Sequence, residues 1–232
     1  MVRISSWFNS KLGHHAQMSK NQFEVDVTMI DTMKLRKILG WLGMLLPWIV
    51  AALYMIYEVG KFQFPGSISA TYYVDACITP FMIILGSAGI LLICYDGYEK
   101  IDEIICTLAG IFGLGICLFP CTAWGSVGTF QINGNISGWI HNICAFIFFG
   151  LLAFNSLFLF TKTVGEVTPE KKNRNIIFRV CGIGMVASFL LLIPLWNVDC
   201  GIWIVEAIAL SFFGISWLTK SQCYSWLFKD RK

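Results

Sequence analysis

His141 and Glu206 are the residues of this 232-residue chain whose surroundings make them chemically conspicuous. Each lies about one turn inside a long apolar stretch, 137–160 for the histidine and 202–218 for the glutamate. At that depth in lipid a titratable group needs a partner or water. A His–Glu pair shares a proton or a charge-assisted hydrogen bond, which costs less than burying either group alone. The polar loop 58–76 adds Ser67, Ser69 and Asp75, so these five residues form a candidate polar pocket at one end of the molecule. Three chemistries fit them. The first is binding of a membrane-lipid headgroup. The second is a membrane-embedded lipid-modifying enzyme of hydrolase or acyltransferase type, with His141 as general base oriented by Glu206 and a serine as nucleophile. The third is a scaffold or small transporter whose polar groups only lock helices, with His141 bonded to a neighbouring helix and Glu206 reaching the interface or Asn197. Lipid binding is the favoured reading, and it carries no commitment to catalysis.

Such residues need elements that carry them across a bilayer, and composition supplies these. The chain is 56% hydrophobic and 13% charged, where soluble domains hold about 25% charged residues. Six apolar stretches stand out, at 38–57, 77–95, 104–119, 137–160, 180–196 and 202–218. A helix rising ~1.5 Å per residue needs about 20 residues to cross the hydrocarbon core. The fold class is therefore an all-α integral membrane protein, a six-transmembrane helix bundle. A tail (1–37) precedes the transmembrane domain (38–219), and a basic tail (220–232) follows it. Residues 1–37 lack the apolar core and cleavage site of a secretory signal. Pro47 is expected to kink the first span. The third span carries Ala109, Gly110, Gly113 and Gly115, small residues that let helix backbones approach closely.

Charge orients the bundle. With both termini cytoplasmic, 16 of the 17 Lys and Arg residues fall inside and only Lys61 falls outside. That bias matches the positive-inside rule. The densest cluster, Lys162, Lys171, Lys172, Arg174 and Arg179, follows the fourth span; this basic loop is a candidate contact for anionic lipid, through Lys171, Lys172, Arg174 and Arg179 above all, although orientation alone explains it equally well. The other end then holds Ser67, Ser69, Asp75, Cys121, His141, Asp199 and Glu206.

Three short patterns resemble a six-span superfamily that includes the damage-regulated autophagy modulators (DRAM) and the Frag and Sfk membrane proteins, with bacterial relatives. Pro65-Gly66-Ser67-Ile68-Ser69 looks like the P-x-I-S loop after that family's first helix. His141 with Ala145 looks like the opening of its fourth helix. Glu206 with Ala209, Phe212, Phe213, Leu218 and Thr219 looks like its last helix. One departure is Ala70, where family loops often place Asp; Asp75 stands further along. The resemblance implies a role connected with membrane lipids, in a plasma or inner membrane of a bacterium or an endomembrane of a eukaryote.

Other motifs point to little. The sequence has no GxxxxGK[ST], GxSxG or HExxH. His14 and His15 have no third ligand nearby, so no metal site and no cofactor are read here. The nine cysteines have no C-x-x-C spacing, and most fall inside spans as small hydrophobes. Cys121 and Cys200 sit in or beside outer loops and are a candidate disulfide in an oxidising compartment. Asn135-Ile136-Ser137 is a formal glycosylation sequon placed against the bilayer. The expected partners are membrane lipids, nucleic acid has no basic domain to bind, and the sequence does not set an oligomeric state.

Overall fold

The computed structural model describes residues 32–223 apart from 61, 98, 164, 165, 167 and 196. Six helices in it are long and apolar enough to cross a membrane: α1 (Thr32–Glu58), α2 (Asp75–Ile93), α3 (Lys100–Leu118), α4 (Gly134–Leu159), α5 (Pro169–Leu195) and α6 (Gly201–Lys220). Inside lipid no water serves the backbone, so each span must satisfy its own N–H and C=O groups, and a helix does this. Between α1 and α2 lies a short 3-10 turn, Ser69–Tyr73. Between α3 and α4, Ser126–Val127 pairs antiparallel with Ile132–Asn133.

Every helix begins earlier than hydropathy indicates, α1 and α5 by the most. Helix α5 starts at Pro169 rather than 180, and α1 includes residues 32–37 of the expected tail. Hydropathy marks where lipid ends, whereas a helix ends where its hydrogen bonding ends. The Thr168 hydroxyl accepts from the backbone N–H of Lys171 at 3.2 Å, and Pro169 takes the first helical position, where its missing N–H costs nothing. The polar run after Pro169 is therefore helical. At the other terminus Lys220 belongs to α6 rather than to a tail. The rest of both expected tails, 1–31 and 224–232, lies outside the described residues. Pro47 does not break α1, which stays helical through it and ends in a wider π turn, Tyr54–Val59.

Consecutive helices pack side by side, α2 on α3, α3 on α4, α4 on α5 and α5 on α6. Helix α1 closes the ring. Gly40 lies so close to α6 that an added Cβ would meet the backbone of Leu218 at 2.9 Å and the Gly214 carbonyl at 3.0 Å. On the other side, the Cys77 thiol of α2 donates to the Val50 carbonyl of α1 at 3.5 Å. The small residues of α3 behave as expected. A Cβ at Gly110 would strike the Gly89 carbonyl of α2, and one at Gly115 would come within 2.8 Å of the Cys144 sulfur of α4. Lipid tails are as apolar as leucine, so this backbone proximity, rather than the hydrophobic effect, holds the helices together. Phe81, Phe148, Phe213 and Trp217 fill the centre, while Ile83, Phe146, Ile183 and Leu190 face outward.

Successive helices run antiparallel, which sorts their ends into two sets. The starts of α1, α3 and α5 and the ends of α2, α4 and α6 form what is called here the basic end. The opposite set, bearing the long connections, is the loop end.

Candidate functional site

At the loop end the Glu206 carboxylate faces the N-terminus of the 3-10 turn. Its Oε2 accepts from the backbone N–H of Ile68 at 2.5 Å, and its Oε1 accepts from the Ser69 hydroxyl at 3.1 Å. The first N–H groups of any helical turn lack partners; here α6 supplies one in trans. Ser67 caps the same turn, its Oγ accepting from Ala70 N–H at 2.8 Å. The loop that carries Ser67 and Ser69 lies against the mouth of the bundle. Phe64 packs on Trp203 with ring centroids 4.3 Å apart, and Trp203 N–H donates to the Gly66 carbonyl at 3.0 Å.

His141 is committed elsewhere. Its Nδ1 bonds the Phe119 carbonyl at 2.8 Å, so that nitrogen carries the proton. One turn earlier the Ser137 hydroxyl donates to the Pro120 carbonyl at 2.7 Å. Both side chains thus satisfy carbonyls that α3 leaves open past its C-terminus. The expected His141–Glu206 pair is not formed, because each residue finds a backbone partner instead. The general-base arrangement it would have supported is not assembled either. Asp75 is exposed in the first turn of α2, apart from the other four residues. Under the loop there remains a void of ≈ 30 Å³, lined by Ser69, Glu206 and apolar side chains such as Phe81 and Phe148. That volume suits a water molecule and excludes a headgroup.

Cys121 and Cys200 are free, half-buried thiols rather than a disulfide. Tyr73 donates to the Cys121 carbonyl at 2.5 Å, tying the α1–α2 connection to the α3–α4 connection. Burial pushes the Tyr73 phenol up to about 12 and the Cys121 thiol up to about 11. Ser137 of the sequon is buried, with its hydroxyl already spent.

The basic end is built differently. A cavity of ≈ 350 Å³ opens among Arg36 of α1, Asp102 of α3, Lys171 and Arg174 of α5, Lys220 of α6, and Glu99, Lys162 and Glu166 of the connections. An aromatic cluster lies beside it, of which Phe178 lines the cavity. Phe160 packs edge-on against Phe178 and Trp217 at 5.4 and 5.1 Å, and Trp217 packs edge-on against Tyr95 at 5.1 Å. Three cations stand on these rings: Arg36 over Tyr95 at 5.5 Å, Lys171 over Phe178 at 5.7 Å, and Lys220 over Phe160 at 4.9 Å. Cation–π attraction of about 0.5–2 kcal/mol each offsets part of the cost of withdrawing these charges from water. Arg36 also donates from Nε to the Tyr95 hydroxyl at 3.1 Å, and Lys171 caps α4 by donating to the Phe160 carbonyl at 2.9 Å.

Acidic groups occupy one wall. Glu99 and Asp102 cap α3 reciprocally, and the amine of Lys162 lies 2.6 Å from Glu99 and 3.9 Å from Asp102. The bond to Glu99 holds the Lys162 amine above its ordinary range. Of the five cations picked out after the fourth span, Lys162, Lys171 and Arg174 line the cavity. Lys172 and Arg179 are exposed and take no part in it.

Sequence reasoning missed Arg36, Lys220, Glu99 and Asp102 as members of a site. The positive-inside rule already accounted for every one of these cations, so nothing singled them out. The aromatic cluster was equally hidden, because Tyr95, Phe160, Phe178 and Trp217 come from four parts of the chain. No protein-family model matches the chain, and no curated protein or solved structure matches it.

Proposed function

We propose that this six-span membrane protein binds the anionic headgroup of a membrane lipid in the cavity at its basic end, and that this end faces the cytoplasm. One observation carries the reading: a headgroup-sized cavity in which five cations from separate parts of the chain meet three carboxylates at the mouth of the bundle. Arg36 is only 6% exposed, a degree of burial that the orientation rule does not require. Anionic lipid at the cytoplasmic leaflet supplies the counter-charge such a site calls for. The location differs from the one first expected. At the loop end Glu206, Ser67 and His141 bond backbone groups and Ser69 bonds Glu206, so these polar side chains fasten the connections to the bundle.

The competing reading is a purely structural lock. It draws on the Lys162–Glu99 contact and on the cap that Lys171 places on α4. Native mass spectrometry of the purified protein separates the two. The binding reading expects a co-purifying anionic lipid that is lost in Lys220→Gln and kept in His141→Ala. The lock reading expects no lipid in any of the three.

A further inference from the structure

The three connections at the loop end differ in charge. The α1–α2 connection is flanked by Glu58 and Asp75, and the α5–α6 connection contains Asp199. Residues 119–133, between α3 and α4, contain no charged side chain, and no Asp, Glu, Lys or Arg occurs anywhere from 104 to 161. A protein surface in water carries about 25–35% charged residues. This connection instead uncovers aromatic rings, with Trp124 100% exposed and Phe130 more than half exposed.

The fold sets its depth. Helix α3 has 19 residues, from Lys100 to Leu118, and at ~1.5 Å each they cover roughly the ~30 Å hydrocarbon core. With Lys100, Asp102 and Glu103 at one surface, Leu118 reaches the other. The chain then folds back along α4 instead of rising away from it. A Cβ added at Gly134 would strike the Ala123 carbonyl, and one at Gly138 would strike the Thr122 hydroxyl. Phe130 stacks on Phe119, the residue that ends α3, with ring centroids 5.4 Å apart. The connection therefore lies level with the first turns of α4. On those same turns Ile136, Trp139 and Ile143 are exposed, an aromatic belt of the kind that meets lipid headgroups.

Irregular backbone at that depth is short of water, and a bare carbonyl there costs free energy. The protein supplies the missing donors. His141 bonds the Phe119 carbonyl, Ser137 the Pro120 carbonyl and Tyr73 the Cys121 carbonyl. Further along, the Gly134 N–H donates to the Gly125 carbonyl at 2.8 Å and Gln131 Nε2 to the Gly128 carbonyl at 2.9 Å. Val127 pairs with Ile132 across the hairpin. Three side chains spent on three successive carbonyls are a provision that a loop in open water does not need.

We infer that residues 119–133 form an interfacial hairpin, seated in the headgroup and glycerol layer of the leaflet at the loop end, with Trp124 and Phe130 as its lipid contacts. An indole suits that layer, since its body is apolar and its N–H reaches a lipid oxygen. The partner is the lipid surface itself. Having no charge, the hairpin does not select anionic lipid, and it stands apart from the cavity at the basic end.

The test places the full chain in bilayers of phosphatidylcholine brominated high on its acyl chains. The chain has nine Trp residues, so the emission of Trp124 is read as the difference between the unaltered chain and Trp124→Phe. That emission should be blue-shifted and largely quenched by the bromines, equally so when phosphatidylglycerol replaces part of the phosphatidylcholine. Phe130→Trp in the Trp124→Phe background gives a second reporter on the hairpin, and its added emission should be quenched likewise. Emission that the bromines leave untouched would overturn the inference, and aqueous acrylamide then gives the reason. Quenching by acrylamide would put the connection in water; protection from it would mean that a protein surface, such as a second copy of this chain, covers the rings. Bromine quenching that requires phosphatidylglycerol would overturn the uncharged docking.

Discussion

Glu206 accepts two hydrogen bonds from one loop, and one of the donors, Ile68, is a backbone N–H that has no helical partner. Bonds to a charged acceptor contribute about 1.5–3 kcal/mol each when buried. Glu206→Gln keeps the shape but loses the charge, so a loss of about 2 kcal/mol is expected in thermal unfolding in detergent. His141→Ala removes a different bond, to the Phe119 carbonyl. The double variant should therefore cost the sum of the singles within about 0.5 kcal/mol. A larger coupling would revive the pairing that their matching depths suggested. Depth could be read from the sequence, because it follows from counting residues into an apolar run. Rotation about the helix axis could not, nor could the open backbone groups of Phe119 and Ile68 that claim the two side chains. Cys121 and Cys200 show the same limit, since loop membership was legible and the distance between them was not.

Helices α2 and α3 touch through glycine. At Gly110 a side chain would run into the Gly89 carbonyl, whereas at Gly86, on α2, an added Cβ meets nothing within 4 Å. Gly110→Val should lower stability by about 1–3 kcal/mol through forced separation of the pair. Gly86→Ala should be neutral or mildly stabilising, since alanine is the better helix former. Equal effects at both positions, measured by unfolding in the same detergent, would show that the α2–α3 contact is not what the glycines serve. The small-residue run in α3 was legible as a packing surface because glycine in a span has few other uses. The starts of α1 and α5 were not. Thr168 and Pro169 are a helix-start signal, but the charges after them hid it from a reading based on lipid compatibility. Those extra turns of α5 are what carry Lys171 and Arg174 onto the wall of the cavity.

Across the whole molecule, charge and loops separate to opposite ends, and the proposed orientation and the proposed function both rest on this separation. Cys94 at the end of α2 and Cys223 just past α6 lie at the basic end, while Gly128 lies in the connection before α4. A membrane-impermeant maleimide should reach Cys94 or Cys223 only from the cytoplasmic side and Gly128→Cys only from the other. Labelling of all three from one face would remove the proposed orientation. Six spans were legible because lipid imposes length and apolarity on every helix that crosses it. The working end was not, since five separated cations become one site only after the ring of helices closes. The most direct measurement is photo-crosslinking of the purified protein with an anionic phospholipid carrying a diazirine beside its headgroup. Adducts should map to residues 159–178 and 217–222, around the cluster of Phe160, Phe178 and Trp217, and should disappear in Lys220→Gln. Adducts confined to 62–73 and 202–210, under the loop that Glu206 holds, would contradict the account.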